Sequence, residues 1–433
     1  MSARTITPFR AGQLKPDSAI YVVPAVTAIY GIIVHIVGIY FDPNSTVTTE
    51  YLPLNERQLS ARAGIPSTWP AWFQGGDGKF TPKQAILILV AFWNDAMKER
   101  FAVGVMWIVI CAMAPLILFF SIESMKTNRP AALGGATIFA GALFGNLGLA
   151  GFSFSSIVIP IYAWGRHREI TQNIVNHKET TMKTGSRDAG RALIHPGPSP
   201  APWKVQTAFT ILTTVVLIIA SAAHTPSAYR TPALVANLAF WAYPVLLLPL
   251  LLPPFAGSKV SATNNPFARL PKGTRRTAAA DAYATLATIS LGIYFFALVL
   301  VAPDLYHKVM HARKMIASFG GYFGIPGTVY RLGFQEFCKL TFPVSYAAWS
   351  FVIDLSGLAL AAYSIVFIDM VCDDWSMAAF SGRVPGYIRH TKKKYVLEDL
   401  IVGTWPTLIL GPGYSLAKYF EKRERSAEAA RNK

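Results

Sequence analysis

The chain has few charged residues and few cysteines for its length. Only 15% of its 433 residues are Asp, Glu, Lys or Arg, whereas 52% are hydrophobic and the mean hydropathy is +0.36. A soluble globular domain carries about 25% charged residues. The three cysteines, Cys111, Cys338 and Cys372, form no Cys-x-x-Cys pair. These scarcities exclude an ordinary soluble domain, a disulfide framework and a cysteine-based metal site.

Sequence motifs for several kinds of chemistry are also missing. The chain has no P-loop, no Rossmann fingerprint, no nucleophile elbow, no series of histidine boxes and no haem-attachment signature. ATP-driven, hydrolytic and redox functions lose weight as a result, and we predict no cofactor and no metal ion. The chain also lacks a nucleic-acid-binding motif. We therefore attribute its net charge of +17 to anionic membrane lipids and predict no nucleic-acid partner.

Long apolar runs are what the sequence has in abundance. About 20 apolar residues cross the hydrocarbon core of a bilayer. We therefore predict an all-α fold: a polytopic transmembrane helix bundle of about 7–8 spans, forming one multi-pass domain over 1–433 with short basic loops and a basic C-terminal tail. An eighth run, 396–416, is weaker because of its Gly-Pro-Gly break, and lying in the membrane interface is its alternative. The stronger runs are 18–41, 101–122, 131–164, 205–223, 232–255, 280–302 and 344–368.

Two of these runs are irregular. As a straight helix, 131–164 would be about 50 Å long, whereas one crossing of the hydrocarbon core needs roughly 30 Å. Its glycines permit a tilt, a break or a re-entrant turn. The segment WAYPVLLLPLLLPPF, 241–255, contains four prolines and is predicted to kink.

The charged segments give conflicting signals about orientation. Segments 165–204, 257–279 and 369–395 are basic and lie on one side when the spans are counted as above, which the positive-inside rule makes cytosolic. The basic residues before the first span favour a cytosolic N-terminus, which needs the opposite parity. The sequon at Asn44 can carry a glycan only if its loop is lumenal. We predict a multi-pass protein of the endoplasmic reticulum membrane.

An aspartate interrupts the apolar run SYAAWSFVIDLSGLALAAYSIVFIDM, 345–370, near its middle. A carboxylate at the centre of a spanning helix costs roughly 2.5–3.5 kcal/mol on insertion scales, so other interactions must compensate Asp354. Helical spacing places Tyr346, Ser350 and Gly357 on its face, which is small and polar. Two interpretations stay open: a hydrogen-bonded carboxyl group that ties two helices together, and a functional carboxyl group inside the bundle.

A second acidic group lies in AFWNDAMKERFAV, 91–103. The Thr-Pro pair at 81–82 suits a helix N-cap and first turn. On one continuous helix Asp95 and Glu99 share a face, with Lys98 nearby, and two such carboxyl groups can differ in pKa because like charges repel. The alternative is a solvated turn at the head of the second span.

Two further clusters have weaker patterns. Asp369, Asp373 and Asp374 lie where the 344–368 span ends, and clustered carboxylates can bind a divalent cation, as in membrane prenyltransferases. His307 and His311 have the i, i+4 spacing of a metal-binding pair but no further ligand, which favours a basic interfacial helix.

The overall layout resembles the fungal integral-membrane terpene cyclases of meroterpenoid biosynthesis, of the macrophorin and ascofuranone type. The resemblance rests on the chain length, the spans, the many aromatic residues, the stretch FWNDAMKER and the span that holds Asp354. It implies an enzyme without a cofactor that closes the farnesyl-type chain of a prenylated phenolic or epoxycyclohexenone substrate. Such a lipophilic substrate would reach the enzyme from the bilayer.

Site residues for this reaction follow from its chemistry. An acid must protonate a terminal alkene or an epoxide, and aromatic faces can stabilise the resulting cation. We predict Asp354 as the proton donor and Asp95 or Glu99 as a second carboxyl group that relays protons. The alternatives are a proton-coupled transporter or exporter, a membrane prenyltransferase and a non-catalytic scaffold. The residues predicted to bind the substrate are Tyr346, Ser350, Trp93 and Tyr294.

Overall fold

The computed structural model of this chain is a bundle of helices. None of its described residues forms a β-strand, which confirms the all-α prediction for this part of the chain. The structure describes residues 19–35, 47–77, 81–126, 135–148, 150–169, 200–224, 234–235, 237–239, 242–251, 278–332, 337, 340–341, 345–381 and 407–431.

We number the α-helices in chain order. They are α1 (Ala19–Gly31), α2 (Glu56–Arg62), α3 (Ala71–Gln74), α4 (Pro82–Ala96), α5 (Arg100–Met125), α6 (Gly135–Gly148), α7 (Ala150–Ser153), α8 (159–169), α9 (Pro202–His224), α10 (Ala278–Ser318), α11 (Ile325–Leu332), α12 (Tyr346–Ser381) and α13 (Pro412–Arg431). A π-helical turn, Phe154–Val158, joins α7 to α8, and a 3-10 helix spans Tyr243–Leu251.

Four described helices are long and apolar enough to cross a membrane. They are α5, α9, α10 and the 348–369 part of α12, while the apolar helix over 20–35 is shorter. A membrane-spanning helical bundle is therefore supported, but the count of seven or eight spans is not confirmed. Exposed apolar side chains such as Leu217 of α9 (62% exposed) and Val299 of α10 (64%) point away from the bundle, as expected of lipid-facing residues.

Helix α5 is the centre of the bundle. Nearly all of its side chains are buried, and it packs against α9, α10, α12 and α13. A helix that is apolar on every side needs such a surround. Gly104 lets α10 approach α5 closely, because a Cβ there would lie 2.4 Å from Val301.

The 131–164 run folds back on itself. Helix α6 ends at Gly148. Ser153, on the returning helical arm of the hairpin, donates a hydrogen bond to the carbonyl oxygen of Gly141 at 2.5 Å. A Cβ on Gly145 would lie 3.5 Å from the Cα of Ala150. Helices α6 and α7–α8 are therefore antiparallel. Of the tilt, break or turn that the sequence allowed, the structure has the turn.

One end of the bundle is held together by buried ion pairs. We call it the basic end. Arg423 of α13 bonds to Glu123 of α5 at 2.7 Å and to Asp369 of α12 at 2.8 Å. Arg166 of α8 lies 3.6 Å from Asp369. Lys126, which is fully buried, bonds to Glu123 at 2.7 Å. The C-terminal ends of α5, α8 and the span in α12 therefore meet here.

The basic end also receives the start of α1, because the rings of Tyr21 and His167 lie 5.5 Å apart. The α6–α8 hairpin enters and leaves the bundle at this end, so it adds no crossing to the count. The sequence placed the N-terminus and the later basic segments on opposite sides of the membrane. That result depended on counting 131–164 as one crossing. With the hairpin, the described helix ends beside all of these segments lie on one side.

The C-terminal segment packs into the bundle from Gly411 onward, which argues against the interfacial alternative for 411–416, whereas Leu408 and Ile409 are exposed. Gly411 breaks the helix at φ 90° and packs against the ring of Tyr294. Helix α13 then packs against α5 and α10, with Phe420 stacked on Phe119 at 4.3 Å. A side chain at Gly413 would collide with the backbone of Cys111, so α13 lies tightly in its groove.

Candidate functional site

Asp354 lies deep in α12 and is 4% exposed. Six residues separate it from Ala348 and fifteen from Asp369. At 1.5 Å per residue these are about 9 Å and about 22 Å. The carboxyl group is thus closer to the end opposite the basic end than to the basic end, and it lies about one helical turn, roughly 7 Å, from the middle of the span.

The carboxyl group of Asp354 contacts the turn of the hairpin. The backbone N–H of Gly151 donates a short hydrogen bond to Asp354 Oδ1. Gly357, one turn further along α12, faces the same point, because a Cβ on Gly357 would lie 2.7 Å from the Cα of Gly151. Glycine on both helices lets the backbones approach closely enough for this bond. The small, polar face predicted around Asp354 is confirmed at Ser350 and Gly357, since Ser350 is also buried.

His35 lies beside Asp354 and was missed by the sequence analysis. It ends the helical run that continues α1, and its side chain is 0% exposed. A methyl group on Gly151 would lie 2.9 Å from both His35 Nε2 and Asp354 Oδ1, so the two polar atoms flank one glycine. The carbonyl groups of Gly31 and Ile353 are near the imidazole ring. Neither ring nitrogen makes a hydrogen bond of acceptable geometry with a described residue.

Small and polar residues also bring α1 against α12 and the π-helical turn. Thr27 Oγ1 and Ser364 Oγ lie 2.9 Å apart, and Tyr30 Oη and Ser356 Oγ lie 2.5 Å apart. Ser156 donates a hydrogen bond to the carbonyl oxygen of Ala28 at 3.2 Å. These contacts hold α1 in place, and thereby hold His35 at the level of Asp354.

A small cavity lies between α5, the α6–α8 hairpin and the 3-10 helix. Its volume is about 10 Å³, room for about one water molecule. Tyr243 of the 3-10 helix lines the cavity and is close enough to Asp354 to interact with its charge. The other lining residues are apolar or small: Ile117, Phe120, Gly141, Ala142, Phe154 and Val158.

The predicted substrate-binding residues are only partly brought together. Trp93 packs edge-on against Phe351 with ring centroids 6.2 Å apart, one turn of α12 from Asp354, and Ser350 lies on that turn. Tyr294 is elsewhere, since its hydroxyl group donates to the carbonyl oxygen of Leu408 at 2.8 Å. The side chain of Tyr346 lies outside the described residues.

The predicted Asp95–Glu99 pair is wrong as a shared helical face. Helix α4 ends at Ala96, and Glu99 is the N-cap of α5, so the two carboxyl groups stand on different helices. Asp95 accepts hydrogen bonds from Lys98 and Arg62, both at 2.7 Å, and from Tyr51 at 2.9 Å. Burial raises the pKa of Asp95, but these three donors outweigh it and hold the pKa below its usual value. A paired, ionised carboxylate is a poor proton donor.

Arg62 connects this cluster to the rest of the cap formed by α2 and α4. It bonds to Glu50 at 2.7 Å and lies 4.3 Å over the ring of Tyr51. The predicted N-cap at Thr81 is confirmed, because its hydroxyl group accepts from the N–H of Gln84 at 3.0 Å. Asp95 therefore belongs to the structural framework of the cap.

The carboxyl group of Asp369 is also fully engaged. It accepts from Tyr162 at 2.7 Å and pairs with Arg166 and Arg423. Two guanidinium groups satisfy its charge, which leaves little reason for it to bind a cation. The side chains of Asp373 and Asp374 lie outside the described residues.

Comparison of the chain with family models, curated proteins and solved structures finds no match. The site has to be interpreted from its own geometry. Two signals in the sequence could have pointed to His35: it is an ionisable residue inside an apolar run, and it lies four residues after a glycine in a segment that needs close packing.

Proposed function

We propose that the protein is an integral-membrane terpene cyclase that closes the prenyl chain of a lipophilic substrate, with Asp354 as the initiating acid. The observation that carries the proposal is an ionisable pair, Asp354 and His35, buried inside the bundle away from any described salt bridge. Ionisable groups inside a membrane bundle are costly and usually serve a function. A carboxyl group in such surroundings favours its neutral, proton-donating form.

The chemistry needs an acid, a base and an apolar surround. The O–H bond of Asp354 breaks, and its proton forms either a C–H bond at a terminal alkene or an O–H bond at an opening epoxide. Internal double bonds then attack the cation and close the ring. The last cation loses a proton to form an alkene. No electron is gained or lost overall, so the reaction requires no redox cofactor.

The surroundings of Asp354 suit such a cation. Phe120, Phe154 and Tyr243 line the small cavity, Tyr243 is close enough to Asp354 to interact with its charge, and aromatic faces attract positive charge. Because the cavity has room for about one water molecule, a prenyl chain can enter it only when the surrounding helices separate. Tyr243 lies on a 3-10 helix, whose hydrogen bonds have poorer geometry than those of an α-helix, so we propose that this element moves to admit the chain.

Three variants of one residue test the proposal. Asp354→Asn keeps an oxygen that can accept from Gly151 but cannot donate as a carboxylic acid. Asp354→Leu removes that acceptor as well, and Asp354→Glu keeps the acid but displaces it. Membrane fractions would be supplied with a farnesylated phenol and with its terminal epoxide. We expect Asp354→Asn to accumulate normally and to lose roughly two to four orders of magnitude in turnover.

The control is Asp281→Asn, a substitution of an exposed carboxylate in the first turn of α10, which should keep wild-type turnover. If Asp354→Asn is as active as wild type and only Asp354→Leu fails to accumulate, Asp354 is a helix-tying group and the proposal is wrong. Activity that disappears in EDTA and returns with magnesium would favour a prenyltransferase instead.

A proton-coupled exporter is the second candidate, because a buried Asp–His pair can also carry a transported proton. The two functions can be distinguished by whether the substrate is converted or is moved across the membrane unchanged. Isolated membranes should convert the substrate if the protein is a cyclase. Intact cells should export it unchanged, in a manner abolished by a protonophore, if the protein is an exporter.

A further inference from the structure

Among the described residues, no side chain is bonded to His35, and only the backbone carbonyl groups of Gly31 and Ile353 lie near its ring. Its ring is completely buried, and neither ring nitrogen forms a hydrogen bond with a described residue. Its aromatic neighbours are Tyr30, with ring centroids 6.3 Å apart, and Phe152, at 6.5 Å. A buried imidazole with only two nearby backbone carbonyl groups and no hydrogen bond of good geometry is rare in a native protein and calls for an explanation.

The space around His35 contains few groups that could exchange a proton with it. Asp354 lies across Gly151 from the ring, and Tyr243 of the 3-10 helix is close enough to Asp354 to interact with its charge. On α1, the hydroxyl group of Tyr30 is within hydrogen-bond distance of Ser356. Among the described residues, Asp354 is therefore the group best placed to take a proton from His35.

We propose that His35 is the base that ends the cyclisation and then returns the proton to Asp354. The inference rests on the proposed function. In the terminating step, a C–H bond next to the cation breaks, its electron pair forms the product alkene, and the proton forms an N–H bond on the imidazole. The imidazolium N–H bond then breaks and the proton forms an O–H bond on the Asp354 carboxylate.

This arrangement makes the reaction cycle self-contained. One proton leaves Asp354 and one proton comes back, so neither bulk water nor a distant carboxylate is needed. The relay first assigned to Asp95 becomes unnecessary, since Asp95 is held by Arg62, Lys98 and Tyr51. A base within the dry site also shortens the life of the cation, which limits capture by water.

Chemical rescue tests the role of His35. His35→Ala should accumulate normally in membranes and lose roughly 10²–10⁴-fold in turnover, the usual scale for a positioned acid or base. Added imidazole should restore part of that turnover. The residual product of the unrescued variant should shift from alkene to alcohol, because water captures the cation when no base removes the proton. The matched control is His224→Ala, which removes a histidine bonded to Trp107 at 2.8 Å on another face of the bundle.

The outcomes distinguish this inference from the proposed function. Loss of turnover in Asp354→Asn with wild-type turnover in His35→Ala would overturn the role of His35 and leave the cyclase proposal standing. Wild-type turnover in Asp354→Asn would overturn both. A folded His35→Ala variant that is inactive and not rescued by imidazole would show a packing role only. If His35→Ala does not accumulate, His35→Gln, which fills the space, decides: normal turnover refutes the inference and loss supports it.

Discussion

Two carboxyl groups of this chain differ in how their charge is compensated. Asp95 has one guanidinium, one ammonium and one phenol donor around it. Asp354 has the N–H of Gly151 and no described cation. Ion pairing stabilises a carboxylate, whereas burial without a cation favours the neutral acid. The difference assigns a structural task to Asp95, and under the proposed function it leaves the chemical one to Asp354.

The pairing of Asp95 predicts a pH-dependent contribution to stability. Its pKa in the folded protein lies below its usual value, so the stabilisation is complete above the unfolded pKa of about 3.9 and is lost as the pH falls through the folded value. Asp95→Asn should therefore lower the melting temperature of the detergent-solubilised protein at pH 7. The gap between variant and wild type should shrink below about pH 4.

Glu50→Gln is the control for this prediction. Glu50 pairs with the same Arg62 but its side chain is 50% exposed, and exposed ion pairs contribute little. Its melting temperature should differ only slightly from wild type at pH 7. A gap for Asp95→Asn that stays constant from pH 7 to pH 3 would show that the carboxylate charge is not what Asp95 contributes.

Residue-level prediction succeeded where helical spacing alone decided the outcome. The buried face of Ser350 and Gly357 follows from positions four before and three after Asp354. It failed for Asp95 and Glu99, since the helix break at 97–99 removes the spacing argument. His35 was missed because its neighbour is more than 300 residues away in sequence, and no local pattern reports such a contact.

The hairpin is the element on which the site depends. Its turn presents the N–H of Gly151 to Asp354, and its returning arm holds the Ser155–Ser156 pair against Gly31 of α1. Side chains larger than hydrogen at the crossing points would separate the three helices. The position of His35 beside Asp354 is therefore a property of backbone packing.

A single added methyl group tests this dependence. In Gly151→Ala the new Cβ would lie 2.3 Å from the backbone oxygen of Asp354 and 2.9 Å from His35 Nε2, closer than real contacts allow. We expect activity to fall below detection and the melting temperature to drop, because overpacking a tight crossing costs roughly 1–3 kcal/mol. Turnover and thermal unfolding in detergent measure the two effects.

Gly145→Ala is the matched control within the same hairpin. Its Cβ would meet Ala150 at 3.5 Å, which is an ordinary contact, and alanine is the better helix former. This variant should keep wild-type turnover and be at least as stable. Wild-type activity in Gly151→Ala would mean that the crossing relaxes freely and that the close approach has no role in the site.

At the element level, the sequence indicated where helices are irregular but not how. Glycine content allowed three shapes for 131–164, and the contact between Gly141 and Ser153 decided among them only in three dimensions. The Gly-Pro-Gly break at 411–413 was recognised correctly as a break. The packing of the segment around this break was not predicted, because the groove that receives α13 is formed by α5 and α10, which are distant in sequence.

On the scale of the whole molecule, the two ends of the bundle differ in composition. The basic end joins buried carboxylates to Lys126, Arg166 and Arg423. The opposite end carries the cap of α2 and α4, in which Leu59, Leu87 and Val90 form a separate apolar cluster. Counting apolar runs could not reveal this division, because the count treated 131–164, which folds back as a hairpin, as one crossing.

The shared position of the basic segments predicts one orientation in the membrane. The described helix ends beside the N-terminus, 170–199 and 252–277 all lie at the basic end, and the positive-inside rule makes that end cytosolic. Single cysteines introduced as Ser2→Cys, Ser186→Cys and Ser258→Cys, in a chain whose three native cysteines are replaced, should all react with an impermeant reagent from the cytosolic side only.

The opposite end then faces the lumen, and it lies next to the sequon at Asn44, since His35 and Val47 border that segment. A glycan removable by endoglycosidase should be present on the wild-type protein and absent from Asn44→Gln and Thr46→Ala. The cysteine labelling decides the orientation, and the glycan gives an independent check from the other side. If Ser186→Cys reacts from the lumen while Ser2→Cys reacts from the cytosol, a crossing lies between them that the hairpin does not provide, and the shared basic end is wrong.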